Sequence, residues 1–244
     1  MTSFKDLHRP GEPLLLPNAW DSASAAVLVR AGFPAVGTTS LGVAAAVGKS
    51  DATSDTLQET IELARRLATL GCHVTVDFEH GFSDDPETVA EHVSRLGPVA
   101  GINLEDRHGD PVLQARKIQA VKATSPRLFI NARTDTHWLR EGTLEDAVAR
   151  SHTYLEAGAD GVFVPGLPLD DIEAFVKRVE APLNVLYTPD EDLAQRGVAR
   201  ISTGSLLFRA TVGALTDVAQ AVREHRAIPA PSYQDVDGLA SRSR

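Results

Sequence analysis

The chain has 244 residues, 43% of them hydrophobic, enough to build one large core, and a single domain is expected over residues 1–226. With 33 acidic against 24 basic side chains it carries a formal charge of −9, which argues against a general nucleic-acid binder, so no nucleic-acid partner is expected, although a few local basic groups could hold a small anion. The single cysteine, Cys72, excludes an internal disulfide and a multi-cysteine zinc site; no apolar run approaches a membrane span and no charged-then-apolar leader precedes Leu14, so the expected location is the cytoplasm.

The first apolar run, 14–18, reads as a short strand, and Asp21 and Ser22 can cap the helix that follows it. Gly32 stops that helix. Residues 35–40 form a second strand and lead into 41–51, a small-residue loop rich in Ala and Gly. From 56 to 70, Leu57, Ile61, Ala64 and Leu67 recur at helical spacing, with Gly71 as the stop. The same unit then repeats. A strand at 73–79 precedes a helix at 86–96, and a strand at 100–106 precedes a helix at 112–122. A strand at 127–133 precedes a helix capped by Thr143 and closed at Gly158. A strand at 161–164, a helix at 172–179 and strands at 182–187 and 200–203 complete the series. The last helix, 206–223, places Phe208, Val212, Leu215, Ala219 and Val222 on one stripe, most simply packed on its own barrel. Residues 227–244 are rich in Pro, Ser and Asp, lack periodicity and read as an arm or partly disordered tail.

Alternating strands and helices require parallel strands joined by right-handed crossovers, and eight such units in about 250 residues predict an α/β fold, the (β/α)8 TIM barrel. No Gly-x-Gly-x-x-Gly opens the first crossover, which argues against a dinucleotide-binding sheet. In a barrel, chemistry gathers at the C-terminal strand ends. Those ends carry Asn18, Asp21, Thr39, Ser40, Asp77, Glu79, Glu105, Asp106, Arg133, Pro165 and Asn184. Strand alternation puts Asp77 and Glu79 on one face, and the neighbouring strand brings Glu105 beside them. Three such carboxylates need either a hard cation such as Mg2+ or a raised pKa. Arg133 ends an otherwise apolar strand, where its guanidinium can clamp a carboxylate or phosphonate. Thr38, Thr39 and Ser40, followed by Gly42, offer hydroxyls and backbone N–H groups to a small anion. These parts suit a 2-oxo acid: breaking a bond beside its ketone leaves an enolate, which a cation and Arg133 would stabilise. His80 and His108 lie near strand tips as candidates for proton transfer, and Cys72 starts a strand at the opposite face.

Six segments, taken in order and spacing, resemble the isocitrate lyase and phosphoenolpyruvate mutase superfamily over roughly residues 4–225. They are Pro17-Asn18-Ala19-Trp20-Asp21-Ser22-Ala23-Ser24, Thr39-Ser40-Leu41-Gly42-Val43-Ala44, Asp51, Val76-Asp77-Phe78-Glu79-His80-Gly81-Phe82, Gly101-Ile102-Asn103-Leu104-Glu105-Asp106 and Asn131-Ala132-Arg133-Thr134-Asp135. The resemblance implies a (β/α)8 barrel that binds Mg2+, with Mn2+ as an alternative, and makes or breaks C–C or C–P bonds of 2-oxo or 2-hydroxy acids through an enolate. By position, Asp77 matches the direct metal ligand, while Asp51, Glu79 and Glu105 contact the metal mainly through water. Thr39, Ser40 and Leu41 match the segment that holds the substrate carboxylate, and Arg133 matches the arginine at its other end. Arg133, Glu105 and Asp51 are the expected catalytic groups; Trp20, in the first matched segment, and Asn184 are further expected substrate contacts. The family also exchanges its last helix between subunits of dimers that pair into tetramers, a second reading of the stripe from Phe208 to Val222.

Four departures narrow the expectation. The lyases' Lys-x-Cys-Gly-His loop is missing, since Asp106 leads through Arg107-His108-Gly109-Asp110 directly to a helix, and no cysteine replaces it. Gly166 stands where the lyases have a glutamate, the mutases' gating segment is absent, and Glu79 replaces the second aspartate of an Asp-x-Asp motif. An isocitrate or methylisocitrate lyase is therefore not expected. The expected activity is Mg2+-dependent C–C cleavage of a small 2-oxo or 2-hydroxy acid such as an oxaloacetate-like dicarboxylate. C–P bond chemistry on a phosphonopyruvate-like substrate and a non-catalytic 2-oxo acid binding protein are the alternatives.

Overall fold

The computed structural model describes residues 2–189 and 192–239. Its framework is a ring of parallel strands: β1 (Leu14–Leu16), β2 (Asn18–Ala19), β3 (Ala35–Thr38), β4 (His73–Asp77), β5 (Gly101–Glu105), β6 (Phe129–Arg133), β7 (Gly161–Phe163), β8 (Leu183–Leu186) and β9 (Arg200–Ser202). Each strand from β2 to β9 pairs with the next, and β9 pairs back to β1. Pro17, which has no N–H to give a ladder, separates β1 from β2. The two are halves of one broken strand, the first bonded to β9 and the second to β3, so nine segments fill eight positions and the barrel closes. Eight positions joined by helical crossovers make the expected (β/α)8 architecture.

The helices are α1 (Ser22–Arg30), α2 (Ser40–Ala46), α3 (Leu57–Leu67), α4 (Pro86–Ser94), α5 (Pro111–Thr124), α6 (Leu144–Glu156), α7 (Leu169–Val179), α8 (Leu206–Arg223) and α9 (Tyr233–Asp237). Their starts follow capping chemistry. Asp21 accepts from the Ser24 amide at 2.7 Å, and Asp85 and Asp110 cap helices that begin with a proline, whose missing N–H removes one orphan donor. Outward strand residues such as Val76, Ile102, Leu104 and Ile130 meet Ile61, Val89 and Ile118 on the helices in the main core. No helix among the described residues is long and apolar enough to cross a membrane.

Inside the barrel the layers differ in chemistry. Phe4 packs edge-on to Phe129 at 5.4 Å and His8 stacks on the same ring at 4.3 Å, plugging the N-terminal end. Above them lies a buried polar layer. Arg200, fully buried, donates to Ser202 Oγ at 3.0 Å and reaches across the barrel to Asn103 Oδ1 at 3.2 Å. Asn131 donates to the same Asn103 oxygen at 2.9 Å, and Ser202 to Asn184 at 3.0 Å.

Three stretches depart from the sequence reading. The predicted loop at 41–51 begins as α2, because small residues let the helix lie directly against Trp20: a Cβ at Gly42 would stand 2.6 Å from Trp20 Cβ. The stripe on α8 does not pack on its own barrel. Phe208 in its first turn packs edge-on to Trp20 at 5.3 Å, but Val212, Leu215 and Val222 are 49%, 69% and 60% exposed. The expected C-terminal tail contains α9, capped by Ser232 and tied back to α1 by Arg30, which donates to the carbonyls of Asp235 and Gly238. Residues 240–244 of that stretch lie outside the described residues.

Barrel closure depends on Asn18. Its amide nitrogen donates to Thr38 O at 2.7 Å, while its oxygen accepts from Thr203 Oγ1 at 3.1 Å and the Gly204 N–H at 2.9 Å, joining the first strand to both neighbours. Asn18→Ala leaves the Thr38 carbonyl, the Thr203 hydroxyl and the Gly204 N–H without this partner and should cost about 1–3 kcal/mol. Urea unfolding of the variant beside the wild type checks this.

Candidate active site

A cavity of about 320 Å3 opens at the C-terminal ends of the strands, lined by eight of the strand-end residues singled out in the sequence, Asn18, Thr39, Ser40, Asp77, Glu79, Glu105, Arg133 and Pro165, and by Leu41 and Asp51, which the resemblance added. Its geometry starts at the end of β4. The Asp77 N–H donates to Thr38 Oγ1 at 2.9 Å, and Asp77 Oδ2 accepts from the Ser40 N–H at 3.2 Å. The first turn of α2 and the tip of β4 are therefore held as one unit.

Glu79 reaches the cavity by a different route from the one alternation suggests. β4 ends at Asp77, and Glu79 adopts φ +47°, the left-handed region that a non-glycine residue occupies at a cost. The turn is held by the Glu105 N–H, which donates to Glu79 O at 2.8 Å, and by Thr56, whose hydroxyl donates to Glu79 Oε1 at 2.9 Å. Glu79 Oε2 is buried without a hydrogen-bond partner among the described residues. Burial raises the pKa of this carboxyl; the Thr56 bond opposes that, and Asp77 and Asp51 add to it.

Arg133 lies at the end of β6 between two acids. Its Nη1 is 3.1 Å from Glu105 Oε2 and its Nε 2.6 Å from Asp135 Oδ1, with the Phe163 and Trp138 rings 5.7 and 5.9 Å from its guanidinium carbon. Burial opposes its charge, but Glu105 and Asp135 outweigh that and hold Arg133 firmly protonated. Burial in turn pushes the Glu105 carboxyl up to about 8, against the pull of Arg133. Asp135 is positioned by Asp106, whose Oδ1 accepts from the Asp135 N–H at 3.0 Å and whose Oδ2 accepts from Tyr154 at 2.6 Å and pairs with Arg150 at 3.1 Å. Asp106 thus belongs to the support of Arg133.

Several expected residues stand elsewhere. Trp20 lies off the cavity, under Gly42 and against Phe208, and Asn184 lies one layer below it, hydrogen-bonded to Ser202. His80 is buried away from the lining, and burial lowers its pKa to about 4, so it is neutral. His108 instead fastens the short β5–α5 loop, with Nε2 2.9 Å from Asp146 and Nδ1 3.3 Å from Glu141. The half-buried Cys72 precedes β4 at the opposite end of the barrel. The cavity also includes Asn103, Trp138, Phe163, Leu186, Tyr187, the run Ser202–Leu206 and Arg209, none of which the sequence reading named as site residues. The small polar run after the last strand was the available signal, since it follows the same strand-end rule.

The acids fit a hard divalent cation in one particular way. Among the described residues, no three Asp, Glu, His or Cys side chains stand close enough to hold one ion directly. A Mg2+ ion held here would take one or two of the carboxylates of Asp51, Asp77, Glu79 and Glu105, all of which line the cavity, and keep several of its own waters. The unpartnered Glu79 Oε2 supplies an acceptor for such a water.

Comparison with known proteins places these residues in context. The family model described as phosphoenolpyruvate phosphomutase matches residues 4–223. An uncharacterized protein of Mycobacterium tuberculosis is 43% identical over 236 residues, covering 93% of this chain and 91% of that one. The 2-methylisocitrate lyase of Bacillus subtilis is 30% identical over 198 residues, covering 74% of this chain and 64% of that one. Among solved structures, a phosphonopyruvate hydrolase in complex with oxalate and Mg2+ superposes with a TM-score of 0.85 at 22% identity, covering 98% of this chain and 95% of that one, a likeness of fold.

The raised carboxyls set a pH dependence. A carboxyl whose folded pKa lies above its unfolded value binds its proton more tightly in the folded state, so its contribution to stability is present at low pH and lost as the pH rises. For Glu105 the window runs from its ordinary 4.5 to about 8. Metal-free protein should therefore lose thermal stability across this range, and a divalent cation should restore it most at the alkaline end. Melting curves from pH 5 to pH 9 with and without Mg2+, at about half-unit steps, test this.

Proposed function

Because the chain belongs to the phosphoenolpyruvate phosphomutase and isocitrate lyase superfamily, we propose that it is a Mg2+-dependent enzyme that cleaves a C–C bond of a small 2-oxo or 2-hydroxy carboxylic acid through an enolate. One observation carries the reading: Asp51, Asp77, Glu79 and Glu105 line one cavity together with Arg133, and a buried oxygen of Glu79 has no partner among the described residues. When bound, Mg2+ supplies positive charge for the substrate's carboxylate and oxo group and for the enolate that cleavage leaves. The chain's own residues do the rest. The Thr39–Leu41 segment, fixed to Asp77 through the Ser40 N–H, presents backbone donors and a hydroxyl to the substrate carboxylate. Arg133, locked between Glu105 and Asp135, holds a fixed positive charge beside the reacting carbons. Glu105, with its pKa near neutrality, can hold or release a proton there.

The absence of the lyase cysteine loop argues against that family branch's chemistry: between β5 and α5 the chain has only Asp106-Arg107-His108-Gly109-Asp110, pinned by His108 to Asp146. A match to the phosphomutase model favours a second reading, C–P bond chemistry on a phosphonopyruvate-like substrate. Turnover of that compound with oxaloacetate left intact would select it.

Calorimetric titration with oxalate, which mimics the pyruvate enolate, tests the site itself. Oxalate should bind only in the presence of Mg2+, and Asp77→Ala and Arg133→Ala should each weaken it by more than about tenfold. Binding that ignores the metal, or survives both substitutions, would sink the proposal.

The exposed stripe on α8 supports a homo-oligomer, a dimer or tetramer, in which this helix is exchanged between subunits. Leu215→Glu should lower the mass measured by light scattering to that of a monomer, with the barrel still folded by circular dichroism. An unchanged mass would place the contact elsewhere.

A further inference from the structure

We propose that His108 is a positioning residue for Arg133: its imidazolium fastens the short β5–α5 loop to α6 and, through Asp146, Arg150, Asp106 and Asp135, sets how firmly the Arg133 guanidinium is held in the cavity. The proposal deepens the enolate-site reading above and rests on it, because it concerns the grip of that site on an anion.

The loop needs such a fastening. Arg107 and His108 have φ of +51° and +54°, two consecutive non-glycine residues in the left-handed region, a costly conformation that persists where its surroundings over-determine it. The His108 N–H donates to Asp106 Oδ1 at 2.8 Å, and the Gly109 carbonyl accepts from Arg150 Nη1 at 2.8 Å. The half-buried His108 ring completes the closure, with Nε2 2.9 Å from Asp146 Oδ2 and Nδ1 3.3 Å from the exposed Glu141. A ring with a carboxylate at each nitrogen donates to both only when it is protonated; a neutral ring turns a lone pair toward one of them and loses that bond.

The same groups lead inward to the cavity. Asp106 Oδ1 accepts from the His108 N–H and from the Asp135 N–H at 3.0 Å, so the loop and the partner of Arg133 share one oxygen. A second route runs through side chains. Asp146 Oδ1 holds Arg150 Nε at 3.0 Å, Arg150 Nη1 lies 3.1 Å from Asp106 Oδ2, and Asp135 Oδ1 holds Arg133 Nε at 2.6 Å. Loosening the loop therefore loosens Asp135, and with it the guanidinium that faces the cavity.

The charges around the ring fix the direction of its pH dependence. Asp146 and Arg150 face it from α6, Glu141 from the connection before α6, and Asp106 from its own loop. The Asp146 hydrogen bond holds the His108 pKa above its ordinary 6.5, assisted by Glu141, while burial and Arg150 oppose it. The fastening is thus complete below 6.5 and is lost as the pH rises through the raised value.

Calorimetric titration with Mg2+ and oxalate of wild type and His108→Gln, at about pH 6 and about pH 9, reads this role as a ratio of affinities. The cavity carboxyls are the same in both proteins and cancel in the ratio. Wild type should bind about threefold or more tighter at the lower pH and equally well at the higher. His108→Lys, charged at both, should keep the advantage over His108→Gln at the higher pH, with melting temperatures recorded to establish that the variants are folded. In an Arg133→Ala background, His108→Gln should weaken binding no further. A ratio that is the same at both pH values, or a loss that persists in full without Arg133, would mark a contact that only shapes the loop and overturn the proposal. Two remaining outcomes separate the levels. If oxalate binds with Mg2+ and His108→Gln leaves its affinity unchanged at about pH 6, only the role of His108 fails; if wild type binds no oxalate at either pH, the enolate-site reading fails and the role falls with it.

Discussion

The constraint on which this site depends is the crowding of carboxylates at the ends of two adjacent strands. Asp77 and Glu105 terminate β4 and β5, Glu79 turns back over the first, and Asp51 joins them at the same cavity. Water would ordinarily spread such charges apart, yet Glu79 and Glu105 are 4% and 7% exposed. Three devices hold them together. Arg133 neutralises Glu105 in part; burial keeps protons on the carboxyls further up the pH scale; and the unpartnered Glu79 oxygen leaves room for an external donor. A barrel built only for stability would gain more from hydrophobic residues at these positions. The strain of Glu79 at φ +47° is of the same kind, a local cost accepted where the chain must aim a side chain.

The support for these groups reaches well below the cavity. Arg200 sits on the barrel axis, fully buried, and burial lowers its pKa to about 9 while the charge of Asp77 pulls it back up. At neutral pH it remains a cation beneath the acids. Its bonds to Ser202 and Asn103, and the bonds of Asn131 and Asn184 to the same pair, join β5, β6, β8 and β9 through one polar layer. On the outer side, Tyr154 and Arg150 fix Asp106, Asp106 fixes Asp135, and Asp135 fixes Arg133. The side chain that would meet a developing negative charge is thus positioned by a chain of residues running out to α6, as preorganised electrostatic stabilisation requires.

Much of this was legible in the sequence because it depends on local rules. Repeated strand–helix units specify parallel strands, and the strand-end rule then assembles Thr39, Asp77, Glu105 and Arg133 from distant parts of the chain. Other features depend on contacts that periodicity does not encode. Small residues at 41–46 read as a loop, yet the close approach of Gly42 to Trp20 makes them a helix. Glu79 was placed in the cavity by alternation, although its side chain arrives there through a left-handed turn. Trp20 and Asn184 were expected at the substrate but serve the layers beside and below it. Arg209 went unnoticed because helical spacing draws attention to the apolar stripe of α8, whereas its first turn faces the cavity mouth.

The most direct test of the metal site is an anomalous difference map from crystals grown with Mn2+ and oxalate. A site formed by these acids predicts a single strong peak beside Asp77, separated by water from Glu79 and Glu105, with oxalate between the metal and the Ser40 backbone. A peak elsewhere, or oxalate bound without any metal peak, would contradict it and leave the buried carboxylates to be explained as a proton-holding cluster.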